Sequence, residues 1–87
     1  MNLNEINSVA DLVLENEKQV SPFQKVIQAL SHKDITPQDQ LMLAKAIVHR
    51  LVNFHEYIVT EKDNLNPQWY VDLQTLTFVQ KMLATVE

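Results

Sequence analysis

Apolar residues recur along most of the chain at the three- and four-residue spacing of α-helices. The longest uninterrupted run covers 37–62, and its apolar side is formed by Leu43, Ile47, Leu51, Phe54 and Ile58. Further apolar residues widen this side to roughly half of the helix circumference. A helix that packs on one side needs an apolar arc of only about 100°. We therefore expect this helix to contact neighbours on two sides.

Each proline directly follows a residue whose side chain can cap a helix. The three pairs are Ser21-Pro22, Thr36-Pro37 and Asn66-Pro67. Proline suits the first helical position because the missing N–H has no partner there in any case. A fourth start is predicted at Asn2, because Glu5 follows three residues later in the pattern of a capping box.

These signals predict an all-α fold, a small four-helix bundle that makes up a single domain over 1–87. The predicted helices cover 3–18, 22–32, 37–62 and 67–86. A short loop joins the last two helices, so we expect them to form a long antiparallel hairpin. The two shorter helices are expected to cover that hairpin. The absence of glycine agrees with this fold, because tight Asn-Gly hairpins between β-strands are excluded.

Composition excludes several classes of function. Without glycine the chain has no glycine-rich phosphate loop or dinucleotide-binding turn. The formal net charge is −4, which argues against nucleic acid as a partner. No apolar run is long enough to span a membrane, and basic residues do not dominate any helix face, so we expect no membrane partner. The absence of cysteine and of a signal-peptide pattern favours a small acidic protein of the cytoplasm.

Two sets of polar residues on the 37–62 helix are candidates for chemistry. His49, Asn53 and Glu56 share one face at steps of four and three, which suggests metal or small-ligand binding as an alternative function. A metal site would need further ligands from another helix, so we predict neither a metal nor a cofactor. His55 falls on the apolar side of the helix. It is either a partly buried histidine with a hydrogen-bond partner or a pH-sensitive contact, since histidine titrates near neutrality.

The last helix carries apolar residues outside its main stripe, which runs through Leu73 and Leu76. Val71, Phe78 and Met82 recur at steps of seven and four, and in a monomer they would form an exposed apolar patch. Together with the aromatic residues Tyr57 and Tyr70 they are the predicted interaction surface.

No arrangement of residues in the sequence indicates catalysis, and a bundle of this size rarely encloses a substrate pocket. We therefore predict a non-enzymatic protein–protein interaction module, a small adaptor, regulator or inhibitor. It would act through an apolar helical face, as a homodimer or by binding another protein.

Overall fold

The computed structural model describes residues 1–15, 21–61 and 66–86, and over these ranges the chain contains four α-helices and no β-strand. The helices are α1 (Leu3–Leu14), α2 (Pro22–Leu30), α3 (Pro37–Glu61) and α4 (Pro67–Ala84). The predicted all-α class with four helices is confirmed. None of these helices combines the length and the apolar character that crossing a lipid bilayer requires.

All four predicted helix starts are present, with the predicted capping side chains. In each case a side-chain oxygen accepts a backbone N–H: Asn2 from Glu5 at 2.9 Å, Ser21 from Phe23 at 3.3 Å, Thr36 from Asp39 at 3.2 Å and Asn66 from Gln68 at 3.0 Å. The Glu5 carboxylate also accepts the backbone N–H of Asn2, which completes the capping box. These bonds satisfy N–H groups that the helix itself leaves without partners.

Two of the helices end earlier than predicted. α2 ends at Leu30 and α4 at Ala84, each two residues short of the predicted end. Just beyond each end a hydroxyl donates to a carbonyl of the last turn: Ser31 to Ile27 at 2.7 Å and Thr85 to Met82 at 2.7 Å. The predicted ends at 18 and 62 lie outside the described residues.

The chain divides into two compact units, Met1–Ile47 and Val48–Glu87, and the boundary falls within α3. In the first unit α1 and α2 are in contact. The Lys25 ammonium donates to the carbonyl of Leu14, the last residue of α1, at 2.6 Å, in the region where a helix leaves carbonyls without partners of its own.

The first turn of α3 is also held within this unit. Asp39 pairs with the ammonium of Met1 at 3.0 Å, and the Gln40 amide donates to the carbonyl of His32 at 2.6 Å. Within 1–15 and 21–47, the buried apolar residues are Ile6, Ala10, Val13, Val26, Ala29, Leu43, Ala44 and Ile47.

The second unit contains the remainder of α3 and all of α4. The His55 and Trp69 rings lie 4.9 Å apart between centroids, and the Gln80 amide nitrogen lies 3.5 Å from Nδ1 of His49. Residue numbers rise along α3 while those of the contacting residues fall along α4, so the two helices run antiparallel, as predicted. Among the residues of this unit that the structure describes, those buried are Val48, Leu51, Val52, His55 and Leu76.

Candidate functional site

One side of α4 exposes the predicted apolar residues to solvent. The exposed fractions are 52% for Val71, 63% for Phe78 and 54% for Met82. Residues seven and eleven positions apart on an α-helix project within about 20° of the same direction, so these three form a single strip. Thr75 lies between them and is also exposed. We call Val71, Thr75, Phe78 and Met82 the outer face of α4.

The opposite side of α4 faces the interior of its unit. Leu76 is fully buried, and Leu73 and Leu83 are half-buried. α4 is therefore apolar on two opposite sides, whereas a helix that packs on one side needs only a single apolar stripe. The apolar side chains of the outer face are therefore additional to those that α4 uses to pack within its unit.

Charged groups are sparse along α4. Its 18 residues include two charged ones, Asp72 and Lys81. The Asp72 carboxylate is half-buried and accepts a hydrogen bond from the Gln68 amide at 2.8 Å. Lys81 is exposed, about 60° around the helix from Phe78. A partner can therefore cover the outer face without removing a charge of that face from water, a step that costs several kcal/mol per unpaired ion.

The five predicted interaction residues do not lie on one face. Tyr70 is exposed but projects about 100° away from its neighbour Val71. Tyr57 is exposed on α3. Of the five, only Val71, Phe78 and Met82 share a direction, and these three lie on the outer face.

His55 is buried, with 4% of its surface exposed, as the first interpretation of this residue predicts. Its Nδ1 lies 2.7 Å from the carbonyl oxygen of Leu51, so Nδ1 carries the proton and donates it to that carbonyl. The ring packs against Trp69 at 52° and meets Phe54 edge-on at 6.2 Å. A role for His55 in pH sensing stays a prediction.

The grouping of His55, Trp69 and Phe54 was not predicted. Phe54 and Trp69 also pack edge-to-face at 5.9 Å. A signal was present in the sequence, because His55 lies about two helical turns before the end of α3 and Trp69 lies in the first turn of α4. Predicting that the two rings touch also requires knowing how α3 and α4 are aligned along their length. The apolar pattern of one helix does not contain that information.

The polar strip of His49, Asn53 and Glu56 is exposed on α3. Both ring nitrogens of His49 face side-chain amides, Nε2 at 3.3 Å from Asn53 and Nδ1 at 3.5 Å from Gln80. Among the described residues no group of three or more histidine, cysteine, aspartate or glutamate side chains is placed to hold a metal ion. Binding of a metal or small ligand by His49, Asn53 and Glu56 stays a prediction.

Fold and surface together define a class, a small all-α protein with an uncharged apolar helical face open to solvent. Comparisons with protein-family models, with curated proteins and with solved structures found no match to this chain.

Proposed function

We propose that this chain is a non-enzymatic protein–protein interaction module, a small adaptor, regulator or inhibitor of the cytoplasm, which acts as a homodimer through the outer face of α4. The observation that carries the proposal is that Val71, Phe78 and Met82 are each more than half exposed on one strip of a helix. Exposed apolar strips of this kind mark sites of protein association.

The energetics of covering this face favour association. Removing apolar surface from water contributes about 25 cal/mol per Å², and a central aromatic residue commonly dominates an interface. Phe78 is the most exposed of the three apolar residues Val71, Phe78 and Met82. The face of one helix is smaller than the roughly 800 Å² per partner of a standard interface, so we expect a transient dimer that depends on protein concentration.

The placement of His55 supports a role without catalysis for this residue. The ring is buried, and it donates to a backbone carbonyl. General acid–base catalysis requires a group within reach of a substrate proton, which a buried and hydrogen-bonded imidazole does not offer.

The proposal is tested by placing a charge on the outer face. Phe78→Asp and Met82→Asp each introduce a carboxylate that dimer formation would bury without a partner, and the cost would exceed the gain from apolar contact. Sedimentation equilibrium from about 10 μM to 1 mM should show the wild-type mass rising toward that of a dimer, while both variants stay monomeric. Circular dichroism should show unchanged helicity.

Asn53→Asp provides the matched control, since it adds the same charge at an exposed position of α3. This variant should associate as the wild type does. A wild-type chain that stays monomeric across the whole concentration range would refute the homodimer. Unchanged dimer formation by both α4 variants would remove the outer face from the interface.

A further inference from the structure

The outer face of α4 has the spacing of a coiled-coil seam. Val71, Thr75, Phe78 and Met82 follow one another at steps of four, three and four, the alternation that keeps side chains along the line of contact between two supercoiled helices. α4 is 18 residues long, or about 27 Å at 1.5 Å per residue. A second helix of the same length can therefore cover the whole strip.

The four positions are also symmetric about one point. Val71 and Met82 lie equally far from the midpoint between Leu76 and Thr77, and so do Thr75 and Phe78. An interface between two identical copies related by a two-fold axis requires a surface that is complementary to itself. A helix whose contact residues pair off about a single midpoint meets this requirement when its copy runs in the opposite direction.

Side-chain size distinguishes the two possible directions. The first half of the strip carries the smaller side chains, Val71 and Thr75, and the second half carries the larger ones, Phe78 and Met82. Antiparallel pairing sets large against small along the whole seam, which fills space evenly. Parallel pairing would set large against large at one end and leave a gap at the other. Antiparallel helix dipoles also attract each other.

We infer that the partner on the outer face is α4 of a second copy of this chain, running antiparallel. Val71 faces Met82 of the partner subunit, and Thr75 faces Phe78 of the partner subunit. The inference rests on the proposed function, because it specifies what covers the face on which that function depends. Each copy carries a net charge of −4, but the seam itself carries no charge, so repulsion between copies is spread over the rest of the surface and screened by salt.

Disulfide formation between introduced cysteines tests the direction, since the chain has no cysteine of its own. A disulfide requires Cα atoms about 4.4–6.8 Å apart. In the antiparallel dimer position 71 meets position 82 of the second copy, whereas the two copies of position 71 are separated by about 16 Å along the helix. An equal mixture of Val71→Cys and Met82→Cys chains should therefore cross-link in a glutathione redox buffer, and neither variant should do so alone.

The product is identified by peptide mass spectrometry under non-reducing conditions as a disulfide between positions 71 and 82. A mixture of Val71→Cys with Asn53→Cys chains measures cross-linking by random collision, because position 53 is exposed on α3 and off the seam. Sedimentation of each variant under reducing conditions confirms that the substitution itself leaves dimer formation intact. We expect the 71–82 product to exceed this collision control at least tenfold.

The outcomes separate this inference from the proposed function. Efficient cross-linking of Val71→Cys alone would show a parallel pair and overturn the inference, while the proposed homodimer would stand. A wild-type dimer with no cross-linking above the collision control would place the contact elsewhere and also overturn it. A wild-type chain that is monomeric at every concentration would refute the proposed homodimer as well.

Discussion

At the scale of single residues, His55 shows that helical spacing gives the direction of a side chain but not its environment. The helical spacing placed it on the apolar side of α3 but did not distinguish a buried imidazole from one that contacts a partner. In the structure the ring donates to Leu51 one turn earlier on its own helix and packs against Trp69 on the next. One side chain thus closes a hydrogen bond within α3 and fills the contact with α4.

Replacing His55 by alanine should lower the free energy of unfolding by about 2 kcal/mol. The substitution removes a buried ring from its contact with Trp69 and leaves a cavity in a closely packed site. Urea unfolding followed by far-ultraviolet circular dichroism measures this change. His49→Ala is the control, because an exposed histidine should change stability by no more than about 0.5 kcal/mol. Equal effects of the two substitutions would contradict the role assigned to the buried ring.

At the scale of helices, starts were predictable and ends were not. Every helix start combines a capping side chain with a proline or a capping box. These signals are local, because the capping side chain bonds a backbone N–H only two or three residues away. The usual end signal is a glycine with positive φ, and this chain has no glycine. Hydroxyls such as those of Ser31 and Thr85 take up the last carbonyls instead, and nothing in the sequence marks which serine or threonine will do so.

The sequence predicted correctly which side chains are buried and which are exposed on α4, but not for every residue of α3. On α4 the buried Leu76 and the exposed Phe78 were separated correctly, because the two apolar stripes lie on opposite sides. On α3, Phe54 was grouped with Leu51, which is buried, yet Phe54 is more than half exposed. The helical pattern gives the direction of a side chain, but the neighbours available to cover it depend on how the helices pack.

The cap of α4 yields a prediction at this scale. Asn66→Ala should lower the free energy of unfolding by about 1 kcal/mol, because the backbone N–H of Gln68 loses its acceptor. Asn66→Ser should retain most of the stability, since a serine hydroxyl can accept the same bond. Asn53→Ala, in the middle of α3, should be neutral or slightly stabilising, as alanine is the better helix former. Chemical denaturation of the three variants provides the comparison, and a stable Asn66→Ala would argue against the cap.

At the scale of the whole molecule, the sequence was sufficient to predict the fold class and to locate the exposed apolar residues of α4. The sequence left open whether that face binds a second copy or another protein, because complementarity depends on a second surface. The direction proposed for the dimer became available only once Val71, Thr75, Phe78 and Met82 were known to be exposed together. Before that, Thr75 was one polar residue among several on the last helix.

Self-association predicts that thermal stability depends on protein concentration. A ligand that binds only the folded state raises its stability by mass action, and in the proposed dimer that ligand is a second copy of the chain. The midpoint of thermal unfolding should rise by several degrees between about 10 μM and 1 mM. Phe78→Asp should abolish this dependence without lowering the midpoint at the lowest concentration. A wild-type midpoint that is independent of concentration would speak against dimer formation.

The position of Trp69 gives the molecule an internal optical reporter. It is the single tryptophan of the chain and lies in the Val48–Glu87 unit against His55. Its fluorescence therefore follows the melting of the unit that contains it, whereas circular dichroism sums over the helices of both units. Coincidence of the two signals on heating is the mark of a single cooperative transition, so the native protein, without any label, reports whether its two halves melt as one.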